Sequence, residues 1–301
     1  MTKEGDLHEE ALRRTIDFDI DRGVHGFWVA GGTGESVIVD DDENRRIAEI
    51  AVEQAAGRAK IIMHVGAPST RRTIALAEHA AKIGADAICS VPPFFYTPED
   101  AEVVTHYRDV AAAAGLPFFA YNLPASTRVE LTKDSVARIQ EAVPQFVGLK
   151  HSAPSFLSVR EFVRMGVTTF IGSCQMILPA LTMGAAGCVD GPPCCAPDVY
   201  LAVWDAFQRG DMDAALAAQD HANDVCGLLV AAPYFASVKA ACRSKGGGAR
   251  NSSPIASPMN ACSEGTTTSG RRHRSTIIFW NAVHANALPG FFASAFFSFF
   301  S

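Results

Sequence analysis

No two of the eight cysteines (89, 174, 188, 194, 195, 226, 242 and 262) stand as C-x-x-C, and none shares zinc-site spacing with a histidine. A sequence-readable metal site or thioredoxin-like redox motif is therefore excluded. The first residues lack the charged segment, apolar run and small-residue site of a secretory signal. Reduced thiols in a cytoplasmic protein are the expectation. Basic residues are outnumbered, 26 Lys and Arg against 32 Asp and Glu, for a net charge of -6. That balance gives a nucleic-acid partner no electrostatic support, and a small acidic ligand would need a local basic group. A clean 18-residue apolar run is also missing.

What is present is a large core and two different materials. Of the 301 residues, 48% are hydrophobic, enough for one large domain. Residues 240–301 hold six Lys or Arg and one Glu, whereas residues 1–239 hold 20 basic and 31 acidic residues. Between residues 7 and 239 a short apolar run, a turn and an Ala-rich amphipathic stretch recur. The runs are Gly26–Ala30, Ile61–Val65, Ala87–Val91, Pro117–Tyr121, Phe146–Lys150, Thr168–Ile171 and Gly187–Val189. None alternates polar with apolar residues, as expected of parallel strands covered by helices. Intervening stretches such as Glu9–Asp21, Asp41–Ala56, Thr70–Ile83, Glu99–Ala114 and Lys133–Ala142 have helical length, and Asp40, Asp41 and Asp42 suit a helix start.

Repeated βα units over this length predict a (β/α)8 barrel, with a doubly wound open sheet as the structural alternative. Only seven strands are readable, and the chain enters a helix almost at once, so the barrel is expected to lack its first strand. We set the barrel at residues 1–240 and an irregular, low-complexity tail at 241–301. Arg243–Arg274 is rich in Gly, Ser and Thr without hydrophobic period. Residues 275–301 carry no charge and follow Arg271, Arg272 and Arg274, as a tail anchor would, but Asn281, His284, Asn286, Pro289 and Gly290 interrupt them. A nonnative C-terminus is preferred to a membrane anchor.

Barrel chemistry sits at the C-terminal ends of the strands. The first run leads into Gly31-Gly32-Thr33-Gly34-Glu35, where backbone N–H groups and the Thr33 hydroxyl suit a carboxylate or phosphate. The loop has neither G-x-x-x-x-G-K-[ST] nor G-x-G-x-x-G, so a nucleotide loop is not supported. The fourth run ends in Tyr121, before Asn122-Leu123-Pro124. It is either a proton relay or an aromatic packing at the rim. The fifth ends in Lys150, costly at a buried strand end as an ammonium and, as an amine, a nucleophile toward a carbonyl carbon; the plain alternative is a lysine reaching solvent. His64 and His151, also at strand ends, lack a nearby acid at metal spacing and read as hydrogen-bonded polar residues. The adjacent Cys194 and Cys195 are assigned no role.

Together, Gly-Gly-Thr-Gly-Glu at 31–35, Tyr-Asn-Leu-Pro at 121–124 and Gly-Leu-Lys-His-Ser at 148–152 resemble the pyruvate-dependent class I aldolase family of N-acetylneuraminate lyase and dihydrodipicolinate synthase. Supporting segments are His64-Val65-Gly66-Ala67, Pro92-Pro93-Phe94-Phe95-Tyr96 and Met183-Gly184-Ala185-Ala186-Gly187. The resemblance runs from about Gly5 to Lys239. It implies a barrel in which Lys150 forms a Schiff base with pyruvate or another 2-oxo acid and Tyr121 shuttles protons. The loop, through Gly32 and Thr33, holds the carboxylate, with Ser152, Gly172 and Val189 lining the pocket. It also implies a homotetramer without metal or organic cofactor.

Departures from the family pattern narrow the activity. Gly32 stands where a hydroxyl residue usually relays protons to the tyrosine. Phe95 occupies the place of an aromatic donor that is commonly tyrosine and reaches in from a neighbouring subunit; Tyr96 lies one residue on. Ser126 replaces the arginine of dihydrodipicolinate synthases, with Arg128 displaced by two, and Cys174 with Gln175 replaces an acidic pair of sialic acid lyases. A carbon–carbon lyase or aldolase acting on a 2-oxo acid is expected, with dihydrodipicolinate synthase or a sugar-acid dehydratase as enzyme alternatives. An inactive barrel or interaction module is the alternative of another class. The family's first strand, ending in Thr-Pro-Phe or Thr-Pro-Met before a glycine resembling Gly5, suggests that Met1 matches an internal methionine of a longer chain. The family's C-terminal helices beyond Lys239 are not recognisable.

Overall fold

Uniformly apolar segments become strands when both of their faces are covered, and seven do so in this chain, with helices outside and the barrel interior within. The computed structural model describes residues 6–244 and 281–285. The parallel strands are β1 (Gly26–Val29), β2 (Lys60–His64), β3 (Ala87–Ser90), β4 (Phe118–Asn122), β5 (Phe146–His151), β6 (Thr168–Ile171) and β7 (Gly187–Asp190). Each lies within one residue of its expected run at either end. Around them run α1 (Glu9–Ile20), α2 (Asp41–Ala55), α3 (Thr70–Lys82), α4 (Asp100–Ala114), the short α5 (Pro124–Thr127), α6 (Lys133–Ala142), α7 (Leu157–Arg164), α8 (Ile177–Thr182), α9 (Pro197–Gln208), α10 (Met212–Val230) and α11 (Tyr234–Ser244).

Local chemistry sets the helix ends. The Asp40 carboxylate accepts the Glu43 N–H at 2.8 Å while Glu43 accepts the Asp40 N–H, a reciprocal cap on α2. Asp41 and Asp42 then sit in the positive first turn. Thr132 caps α6 through the Ser135 N–H. Gly115, at φ +64°, ends α4 in the left-handed conformation that glycine adopts without steric cost.

Strands β1 to β7 pair in sequence order, all parallel. As expected, no parallel strand precedes α1 among the described residues, leaving a gap between β7 and β1. The structure fills that gap from the far end of the chain. A further strand, β8 (Asn281–Ala285), runs antiparallel to both neighbours, with Val283 opposite Gly26 and also opposite Val189, and closes the sheet. An open edge invites association, and pairing both edges removes it.

The tail expectation is accordingly revised for these five residues, which lie in regular structure. The composition boundary set at 240 also falls inside α11. The rest of 245–280 and 286–301, including most of the candidate anchor, lies outside the described residues. Among the described residues no single helix is long and apolar enough to cross a membrane.

Two apolar layers follow from the barrel. Trp28, Ile62, Ala87, Cys89, Phe119, Tyr121, Phe170 and Val189 pack inside it. A larger set, including Phe27, Ile61, Ile88, Phe118 and Leu149, packs outward against the helices. Alternate residues of one strand thus serve opposite layers.

Candidate active site

Lys150 and Tyr121 are brought together by sheet register. They lie directly opposite each other on β5 and β4, so both side chains enter the barrel near the C-terminal ends of their strands. Lys150 is 2% exposed and Tyr121 4%. The Lys150 Nζ lies 4.3 Å from the Tyr121 ring centroid and 5.9 Å from that of Trp28. Among the described residues Lys150 forms no ion pair with a carboxylate. The aromatic rings of Tyr121 and Trp28 line the space around the nitrogen. On the other side of β5, a Cβ at Gly148 would run into the Thr168 carbonyl of β6. The glycine of Gly-Leu-Lys-His-Ser therefore lets β5 sit tightly against β6.

The two strand-end histidines take different places. The His64 Nδ1–H donates to the Ala30 carbonyl at 2.9 Å, while Nε2 is buried without a hydrogen-bond partner. Burial lowers its pKa to about 4, with the Lys150 charge adding to the effect against the Ala30 hydrogen bond. At neutral pH it is an uncharged imidazole, its ring edge-on to Tyr121 at 6.1 Å. His151 is structural. With its Nε2–H donating to the Ser155 carbonyl at 2.8 Å, Nδ1 accepts from the Asn122 amide at 3.3 Å. Asn122 also holds both backbone groups of Leu131 at 3.0 Å. The asparagine after the tyrosine thus fixes the loop that follows β4.

The loop after β1 faces the same end. Gly32 is exposed and Thr33 half-buried. A Cβ on Gly32 would stand 3.7 Å from the Tyr121 hydroxyl, so the loop adjoins the phenol. Helix α11 holds this loop from outside by two contacts. The Tyr234 hydroxyl and the Thr33 side chain converge over Gly191, where a Cβ would collide with both, and burial pushes the Tyr234 phenol well up, keeping it neutral. Farther along, Lys239 Nζ meets Glu35 Oε2 at 2.7 Å, their side chains 10% and 14% exposed. Sequence reasoning missed both α11 residues as site elements. Their partners are about 200 positions away, and no local pattern links them.

Of the remaining expected residues, Ser152 and Gly172 meet after β5 and β6. A side chain on Gly172 would collide with the Ser152 hydroxyl, which is buried and without a hydrogen-bond partner. Val189 is fully buried inside the barrel on β7. Cys174 turns away from the pocket into the packing beneath α10, in the same apolar cluster as the free Cys226, while its N–H donates to Asp190 at 2.8 Å. Gln175 is exposed. Phe95 and Tyr96 project outward, 80% and 81% exposed, and Phe95 holds a left-handed φ of +85°. A bulky residue there is strained.

Comparisons with known proteins bear on the family and the fold. The model of the Dihydrodipicolinate synthetase family matches residues 1–271. An uncharacterized DapA-like lyase of Halobacterium salinarum is 35% identical over 242 residues, 80% of this chain and 78% of that protein. Dihydrodipicolinate synthase from Aquifex aeolicus superposes with a TM-score of 0.76 at 29% identity, covering 80% of this chain and 83% of that one. Proteus mirabilis N-acetylneuraminate lyase shares the fold, with a TM-score of 0.77 at 24% identity over 86% of this chain and 90% of that one. Its family members are lyases that bind small-molecule substrates, and the chain belongs to the dihydrodipicolinate synthetase family.

Proposed function

We propose that the protein is a Schiff-base lyase or aldolase acting on pyruvate or another 2-oxo acid. The observation that carries the reading is the opposed placement of Lys150 and Tyr121 inside the barrel, 4.3 Å from nitrogen to ring centroid. The Lys150 amine attacks the keto carbon, and loss of water gives an iminium. In cleavage of a 4-hydroxy-2-oxo acid, Tyr121, left as phenolate by giving its proton to the departing water, takes the 4-hydroxyl proton as the iminium accepts the electron pair of the breaking C3–C4 bond. The aldehyde leaves. The resulting enamine takes a proton at C3, and water releases pyruvate from Lys150; synthesis is the reverse. Thr33 and the neighbouring N–H groups hold the substrate carboxylate, and Ser152, Gly172 and Val189 shape the pocket.

Cleavage is preferred to the dihydrodipicolinate synthase reaction because Ser126 stands where a second carboxylate needs a cation. Ser126 and Arg128 are both exposed on and after α5. The outward Phe95 and Tyr96 suit contact with a neighbouring copy, in keeping with an oligomer. Borohydride reduction with pyruvate should fix a covalent adduct on the Lys150 peptide, absent from Lys150→Ala. Turnover of aspartate semialdehyde would defeat the preference for cleavage; absence of any adduct from folded protein would leave an inactive barrel or interaction module.

A further inference from the structure

A second cluster of reactive side chains lies outside the barrel interior, on the face of α11 that covers the turn after β7. Cys194 and Cys195 end a single 3₁₀ turn, Pro192–Cys194, in which the Cys194 N–H donates to Gly191 at 3.0 Å and the Cys195 N–H to Pro192 at 2.9 Å. Those bonds fix both side chains on one side. Tyr234, Val238 and Cys242 recur every four residues along α11 and so share one face. Val238 and Cys242 pack against Cys194 and Cys195. The sulfur of Cys195 lies 3.9 Å from that of Cys194 and 3.6 Å from that of Cys242, and all three fall within 4.8 Å of one another. Cys194 is fully buried, Cys195 nearly so, and Cys242 is half-buried.

We propose that Cys194, Cys195 and Cys242 form a three-thiolate site for a thiophilic divalent cation such as Zn2+. Thiolates about 2.3 Å from a tetrahedral Zn2+ stand about 3.8 Å apart, close to the 3.9 and 3.6 Å from Cys195 to its two neighbours, and the third pair lies within 4.8 Å. Binding releases three thiol protons to solvent and leaves a site of net charge −1. The half-exposed side at Cys242 lets water take the fourth position. Sequence spacing could not reveal the site, since its third ligand comes from a different helix 47 residues after Cys195. The ion takes no part in the lyase chemistry. It pins α11 to the β7 turn at the opposite end of the face from Tyr234, and the proposal is independent of the Schiff-base reading.

The test is titration of the full-length, reduced protein with Zn2+, and with Co2+ for its thiolate charge-transfer absorption. We expect one tightly bound ion, with that absorption, and a Tm rise of about 5 °C at a hundredfold excess over Kd. Cys242→Ser and Cys195→Ser should each weaken binding about 100-fold, with circular dichroism reporting that the apo variants fold. Cys226→Ser and Cys262→Ser should bind as the parent does. No binding by folded parent protein, binding unchanged in both Cys242→Ser and Cys195→Ser, or loss only in Cys262→Ser overturns the proposal.

Discussion

The β4–β5 strand pair and the loop after β1 meet at the same end of the barrel but are held in place by different means. Tyr121 and Lys150 are placed by a hydrogen-bonded ladder, their backbones directly opposite in register. Thr33 and Glu35 are placed by side chains of α11, through Tyr234 and Lys239. Ladder placement is collective, so trimming the Tyr121 or Lys150 side chain leaves the register in place, and only a residue such as Gly148, where a Cβ would meet the neighbouring strand, can disturb it. Side-chain placement rests on two contacts, each removable by one substitution. Chemistry and substrate positioning should therefore be separable by mutation.

Tyr121→Phe should show the largest kinetic effect, with kcat falling about 10²- to 10⁴-fold. The lysine adduct should still form, because the ladder and the Lys150 pocket remain. Measuring turnover and borohydride trapping on the same sample checks this, and an unchanged kcat would remove Tyr121 from the proton path.

Lys239→Met leaves Glu35 buried beside no cation, and breaking such a pair should cost about 3 kcal/mol of stability. Its kinetic signature should be a raised KM for the 2-oxo acid with kcat little altered. Pairing it with Glu35→Gln should restore much of the stability in urea melts. If kcat falls as far as it does in Tyr121→Phe, the division between ladder-held chemistry and helix-held binding fails.

Acid sharpens the comparison from the core side. Burial lowers the pKa of both His64 and His106 to about 4. Between that value and the unfolded value of about 6.5 the unfolded chain binds more protons, so stability is present above about pH 6.5 and is lost as pH falls toward 4. Each histidine should contribute a loss of about 2 kcal/mol between pH 7 and pH 5. Urea melts at the two pH values test this, and His106→Gln should flatten the dependence by about half. The expected loss belongs to the barrel and its helix layer.

Gly32→Ser should give the smallest change and of opposite sign. The added Cβ would lie 3.7 Å from the Tyr121 hydroxyl and 3.9 Å from Leu123, ordinary contact distances. A hydroxyl there reaches the phenol, and kcat should rise about tenfold, the worth of one added hydrogen bond in the relay. A fall in kcat would mean that the open space beside the phenol is itself used by substrate.

The same contrast explains what the sequence made legible. Runs such as Ala87–Ser90 and Thr168–Ile171 announce themselves because a strand covered on both faces carries no charge and does not alternate polar with apolar residues. Gly148, Lys150, Tyr121 and Asn122 stand within such runs or at their ends, so their place in the barrel followed from the strands. Tyr234 and Lys239 acquire a site role only through partners some 200 positions earlier, and β8 becomes a strand only because β1 and β7 leave a gap of its width. Asn281–Ala285 has no turn chemistry or long apolar period to mark it. Cys194 and Cys195 carry no meaning until α11 brings Cys242 to them.

The most direct test of the account is borohydride trapping with pyruvate, followed by intact-mass and peptide analysis of the parent protein, Lys239→Met and Lys150→Ala. The account predicts a single adduct on the peptide holding Lys150 in the parent, the same adduct at higher pyruvate concentration in Lys239→Met, and none in Lys150→Ala. An adduct that persists in Lys150→Ala, or folded parent protein that forms none at all, would contradict it.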